Sequence, residues 1–227
     1  MKQIIITILV VVAIIGGAVL LSGGDEESVG AESNNFFGQE EGIITVTEYA
    51  DFQCPACASF SPIVAQVKEQ FKDEIRFEFK HFPLVEIHPN ATVAHRAAQV
   101  AANQGKFWEM HDTLFERLQE WSDSTSPAGI FEGYAREIGL DMDKYASEIN
   151  TSDILSVINA DIEAGKAQGV NSTPTFLIDG EVVEDTSRLA SVDGFAALIQ
   201  EKIDAKTGTE SITEQPASTE PEETPTE

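Results

Sequence analysis

The only two cysteines of the chain stand one helical turn apart, in Cys54-Pro55-Ala56-Cys57, where a strand pattern gives way to a helix pattern. Upstream, Ile43-Ile44-Thr45-Val46-Thr47-Glu48-Tyr49-Ala50 is β-branched and aromatic and reads as a buried strand. Downstream, Phe60, Val64, Val67 and Phe71 recur at helical spacing. Pro55 suits the first helical turn, where a missing N–H costs little, and it fixes the backbone between the two sulfurs. The chain must therefore bring a strand end and a helix N-terminus together at Cys54.

That junction has chemical consequences. A thiolate, not a thiol, attacks disulfides, and the free N–H groups and positive dipole end of a helix N-terminus favour the anion. Cys54 is thus read as the nucleophile. Cys57, one turn deeper, is less accessible yet close enough to attack a mixed disulfide formed at Cys54, and is read as the resolving thiol. Two other readings stand beside this one. A structural disulfide would close only two intervening residues and so contribute little stability. A zinc site would need two more ligands, and His81, His88, His95 and His111 form no compact pair after the cysteines.

The ends differ from the middle. Ile4 to Leu21 is an apolar run, preceded by Lys2 and followed by Asp25-Glu26-Glu27, long enough to span most of a hydrocarbon layer of about 30 Å. Residues 1–22 are read as a membrane anchor or a long signal peptide, retention being favoured because no clear small-x-small cleavage site ends the run; either way the N-terminus is cytoplasmic and the rest is exported. Residues 23–41, rich in Gly, Ser, Asn and Glu, read as a flexible tether. Residues 206–227 read as a disordered Pro/Thr/Glu tail. A formal charge of −25 argues against nucleic acid or an anionic membrane surface as partner, and its plain meaning is solubility.

Within residues 42–205 the alternating Arg76-to-Phe82 segment forms a second strand ending at Pro83, and a helical block covers about 88–168. In that block Val93, Ala97, Val100 and Ala101 make one apolar stripe, and Phe107, His111, Leu114, Phe115 and Leu118 another. Gly139 and Gly169 read as helix stops. Thr175 to Ile178, the turn Asp179-Gly180 and Glu181-Val182-Val183 read as a hairpin, and a last helix runs from about Ser191 to Ala205.

Four segments carry a family resemblance: Glu48 through Cys57; Lys80-His81-Phe82-Pro83-Leu84; His88-Pro89 through Gly105-Lys106-Phe107-Trp108-Glu109-Met110-His111; and Gly169-Val170-Asn171-Ser172-Thr173-Pro174-Thr175-Phe176. The chain resembles a membrane-anchored member of the DsbA-like branch of the thioredoxin superfamily. The resemblance implies an α/β thioredoxin fold with an α-helical domain inserted between the second and third strands. It implies that Pro174 is cis and faces the cysteines, and that Thr173 offers its backbone to an extended substrate strand, with Pro55 and Ala56 also in the substrate-binding set. It implies that Glu48 is a buried acid beneath the site, suited to exchange a proton with Cys57; strand parity with Val46 supports that burial. Ala56 departs from the histidine of the family's strong oxidants, which removes one cation that would stabilise the thiolate. His111 reads as a packed boundary residue, His88 as a cap or hinge, and His81 as structural.

These readings converge on an exported thiol–disulfide oxidoreductase, an oxidase in preference to a reductase, with no organic cofactor or metal. Its partners would be cysteine-containing secreted or cell-surface proteins and a membrane redox protein, with a quinone-linked one in mind. A dedicated isomerase is disfavoured, since no dimerisation domain precedes the catalytic one, and a monomer is expected. The contrasting reading is a non-enzymatic peptide-binding module with a structural disulfide.

Overall fold

A computed structural model describes residues 31–208, so the expected anchor over residues 1–22 and the tail beyond Gly208 lie outside the described residues. The chain order is β1 (Asn35–Gly38), β2 (Ile44–Ala50), α1 (Pro55–Gln70) and β3 (Ile75–His81). The helical block follows as α2 (Ala91–Ala102), α3 (Phe107–Glu116), α4 (Leu118–Trp121), α5 (Pro127–Glu137), α6 (Met142–Glu148) and α7 (Ser152–Ala167). Strands β4 (Thr175–Ile178) and β5 (Glu181–Val182), a 3₁₀ turn (Thr186–Leu189) and α8 (Val192–Thr207) complete the domain.

The five strands form one sheet in the order β1-β3-β2-β4-β5. Strands β2 and β3 are parallel, which requires a crossover, and α1 supplies it. Strand β4 returns antiparallel to β2, with Tyr49 opposite Thr175 and Glu48 opposite Phe176. A two-residue turn closes the β4–β5 hairpin because both Asp179 (φ 49°) and Gly180 (φ 82°) adopt left-handed backbone.

Apolar side chains sort into three groups. Ile44, Val46, Phe77 and Phe176 of the sheet pack against Val64, Val67 and Phe71 of the α1 segment and Phe195 and Ile199 of α8. Phe52, Phe79 and Cys57 join the helical block, whose interior includes Met110, Leu114, Trp121 and Phe131. Tyr49, Phe82, Val170 and Leu177 make a smaller cluster under α7. There Gly165 permits a close approach: a Cβ on it would lie 2.8 Å from Tyr49 Cε1 and 3.0 Å from Phe82 Cε2.

The structure departs from the sequence reading at the domain edges. Part of the expected tether is ordered structure: Asn35–Gly38 pairs with Phe79–Arg76 as an edge strand. Arg76 lies 4.0 Å from the centre of the Phe36 ring, and Phe37 meets Trp108 edge-on at 6.0 Å, so two aromatic side chains hold the strand. Ser33 is also fixed, its N–H and hydroxyl donating to the buried Asp161 carboxylate at 2.8 and 2.6 Å. With β1 counted, the helical block lies between the third and fourth strands in chain order rather than the second and third. At the other end, α8 keeps Lys206 and Thr207, which the sequence reading assigned to the tail. The stripe from Phe107 to Leu118 is split at Arg117 into α3 and α4.

Candidate active site

Strand β2 runs into a tight turn at Asp51, whose carboxylate accepts from the Gln53 N–H at 2.8 Å, while the Cys54 N–H donates to the Asp51 carbonyl at 3.0 Å. This turn sets Cys54 as the N-cap of α1, in extended backbone, with Pro55 at the first helical position. Pro55 and Ala56 are exposed, and Cys57 is completely buried one turn in. Strand β4 starts opposite Tyr49, so the residues just before it pass the end of β2 beside the cysteines. The Thr173–Pro174 peptide bond is cis, and the Cys54 thiol donates to the Thr173 carbonyl at 3.5 Å.

The two sulfurs are in opposite electrostatic settings. The Cys57 thiol hydrogen-bonds the Cys54 sulfur, and against the cost of burial the backbone N–H groups of Cys57 and Ala56 and the Thr173 side chain also favour the anion, drawing Cys54 down to about 5. Thr173 Oγ1 is buried with no hydrogen-bond partner among the described residues, which leaves its hydroxyl free to donate to the Cys54 anion. Cys57 is pushed far above an ordinary thiol, first by burial, then by its bond to Cys54 and the charge of Glu48.

Glu48 is 2% exposed, and burial raises its carboxyl to about 8, with Lys68 pulling the other way. Lys68 is itself buried in α1, its ammonium 3.7 Å from the centre of the Trp108 ring, and burial lowers its pKa. Sequence reasoning passed over Lys68. The signal was there, since it stands four residues after Val64 and three before Phe71, on the apolar stripe of the helix.

A second polar system ties the site to the helical block, and sequence reasoning missed most of it. Asp51, fully buried, accepts from the Leu84 N–H at 2.8 Å and sits 2.7 Å from His88 Nδ1. His81 Nε2 lies 3.0 Å from Gln99 Oε1, His81 Nδ1 lies 2.7 Å from His95 Nδ1, and the Phe52 N–H donates to His95 Nε2 at 3.4 Å. Burial lowers the His81 pKa well below its ordinary value. His111, expected at a boundary, is instead 2% exposed, with Nδ1 2.8 Å from Asp112.

The family follows from comparison with known proteins. A thioredoxin family model matches residues 31–201, and the chain belongs to that family. Among solved structures it is similar to oxidised BdbD from Bacillus subtilis (TM-score 0.65, 20% identity, 78% of this chain and 97% of that one). It is likewise similar to alpha-DsbA1 from Wolbachia pipientis (TM-score 0.65, 19% identity, 80% and 97%). MdbA from Corynebacterium diphtheriae, a thiol-disulfide oxidoreductase, gives a TM-score of 0.60 at 16% identity over 74% and 94%. Within the thioredoxin family, the architecture is therefore DsbA-like, with its helical domain inserted into the sheet connection.

Similar sequence also occurs in the Na(+)/H(+) antiporter NhaA 3 of Salinispora tropica, 35% identical over 152 residues. That match covers 67% of this chain and 22% of the antiporter, so the chain spans about a fifth of this curated relative. Among the described residues no helix is long and apolar enough to cross a membrane.

Proposed function

We propose that this protein is an exported thiol–disulfide oxidoreductase, held at the outer face of the membrane by residues 1–22, that donates disulfides to cysteine-containing secreted or cell-surface proteins. The observation that carries this reading is the asymmetry of the two thiols: Cys54 titrates near 5 while Cys57 is raised far above an ordinary thiol. A stable Cys54 thiolate stabilises the reduced form of the pair, makes Cys54 a good leaving group, and so favours giving the disulfide away. The low Cys54 value supports this direction despite Ala56, because the N–H groups at the start of α1 and the Thr173 side chain do not depend on a histidine in the motif.

In the forward reaction a client thiolate attacks Cys54 Sγ of the Cys54–Cys57 disulfide. The S–S bond breaks, and the Cys57 sulfur leaves with the electron pair and takes a proton. Glu48, protonated below about pH 8, is the group of matching acidity beneath it and supplies that proton. The second client thiolate then attacks the client sulfur of the mixed disulfide, and Cys54 departs as its stable thiolate. The client has lost two electrons and the protein has gained them. Thr173, beside Pro174, pairs the client strand during these steps, with Pro55 and Ala56 as its exposed floor.

Turnover then requires an electron acceptor, for which we propose a quinone-linked membrane protein. The similarity to a segment of Na(+)/H(+) antiporters supports work beside a membrane; no ion transport is carried over from them. Full-length Cys57→Ala, expressed in cells, is expected to accumulate mixed disulfides between Cys54 and exported proteins. Absence of such adducts, in cells and with cysteine peptides, would rule out the exchange role. A midpoint in graded glutathione buffer below about −270 mV, the thioredoxin range, would reverse the direction to reductase.

A further inference from the structure

Beside Cys54, away from the Thr173–Pro174 groove, lies a cleft of about 720 Å³. Gln53 and Pro55, the residues on either side of Cys54, form one wall, Ile87 and Pro89 of the loop after β3 form the second, and Leu118 and Asp123 are on the third. Apart from Pro55, which also floors the client strand, none of its lining residues takes part in the exchange reaction described above.

Its walls are fixed by hydrogen bonds. The Gln53 side chain donates to the Ser122 carbonyl at 2.8 Å and accepts from the Asn90 N–H at 2.7 Å. The Asn90 side chain donates to the carbonyls of Trp121, Ser122 and Ser124 at 3.1, 3.0 and 2.9 Å. The loop carrying Ile87 is pinned by Leu84 N–H and His88 to the buried Asp51 carboxylate. The cleft is therefore preformed, and a ligand entering it loses little to ordering the protein.

Its surface chemistry names the occupant. Three large apolar side chains stand out as exposed among the described residues: Val85 at 56%, Ile87 at 67% and Val182 at 37%. Ile87 lines this cleft, Val85 belongs to the same loop, and Val182 lines the groove that contains Pro174. Exposed apolar side chains thus flank the reactive sulfur on both sides, as at a surface made to be covered. Asp123, exposed, is the one acidic side chain of the lining, and the neighbouring loop adds exposed Glu86; neither Lys nor Arg lines the cleft.

We infer that the cleft is a second client subsite, one that seats an apolar side chain and an adjacent cationic one on the flank of the client cysteine opposite to the flank paired at Thr173. The apolar side chain rests against Ile87, Pro55 and Leu118, and the cation meets Asp123. Gln53 and Pro55 of its lining are the chain neighbours of Cys54, so an extended segment whose cysteine reacts there can reach the cleft. This inference rests on the exchange activity proposed above and adds a sequence preference to it.

The test uses the full chain and three thiol substrates: glutathione, a dithiol peptide with Leu-Lys beside its reacting cysteine, and the same peptide with Ser-Asp. The Leu-Lys and Ser-Asp pairs are placed on each flank in turn. The oxidised native protein should oxidise the Leu-Lys peptide about tenfold faster than the Ser-Asp peptide, for one flank only, the scale set by covering one apolar side chain. Ile87→Ser should remove most of the apolar preference, and Asp123→Lys should reverse the charge preference. Both side chains are exposed, so neither change threatens the fold, and rates with glutathione should stay within about twofold. Equal rates for the two peptides, or a loss in the variants shared with glutathione, would overturn the subsite while leaving exchange intact. Failure of the native protein to exchange with glutathione at all would instead remove the activity on which it rests.

Discussion

Replacing Glu48 with glutamine should make the protein more stable, by an amount that grows with pH. The carboxyl titrates near 4.5 in an unfolded chain and near 8 in the fold, because burial penalises its charged form. Between those values the native state keeps a proton that the unfolded state has released, so native stability falls as pH rises through the window. Each pH unit is worth about 1.4 kcal/mol, which gives about 3 kcal/mol at pH 7 and about 5 kcal/mol above pH 8. Glutamine carries no such slope. Urea unfolding of the reduced protein at pH 5, 7 and 8.5, followed by the fluorescence of Trp108 and Trp121, measures it. With a slope near 2 kcal/mol per molar urea, the midpoint should rise by about 1.5 M at pH 7 and only slightly at pH 5. Parallel stability curves for the two proteins across that range would show that Glu48 ionises like an exposed acid and would remove it as the proton source for Cys57.

Three further outcomes are expected. Alkylation of Cys54 by iodoacetamide should follow a titration near pH 5 with Cys57 unreactive in the folded protein; a midpoint near 9 would contradict the thiolate stabilisation. Gly165→Ala should cost about 2 kcal/mol, or about 4–8 °C of thermal midpoint, since the new methyl collides with Tyr49 and Phe82, and an unchanged midpoint would mean that α7 can retreat from the sheet. In the Glu48→Gln background, stability should fall as pH drops below about 6.5, because burial holds His81 and His111 neutral in the fold while the unfolded chain takes up their protons; each adds about 1.4 kcal/mol per pH unit, and His81→Gln should reduce the slope.

The parts of the fold legible in the sequence are those with local causes. Strand β2, the Pro55 helix start and the Asp179-Gly180 turn each follow from a few adjacent residues. The glycine stops agree as well, with Gly139 and Gly169 at φ 78° and 84°. Strand β1 was hidden because four residues in a polar stretch carry no period, and their support comes from Arg76, Trp108 and Asp161, far along the chain. The burial of Glu48 was foreseen from its parity with Val46, but that reasoning was incomplete, since Thr47 and Tyr49 on the other parity are buried too. Both faces of β2 are covered, so what distinguishes Glu48 is its neighbours Lys68 and Cys57 on α1. The Asp51–His88 contact and the His81–His95 chain could not be read from spacing at all, because their members come from separate elements joined only by the fold.

The sheet ends in a four-residue strand on one side and a two-residue strand on the other. On the function proposed above, the protein would meet unfolded, cysteine-bearing chains, whose segments extend any open strand they touch. Edges this short give such segments almost no rail to zip along, and so little chance to seed a fibre or tether two copies of the protein together. The backbone at Thr173 is then the docking place that the proposed function leaves to a passing chain, with its sulfur beside Cys54.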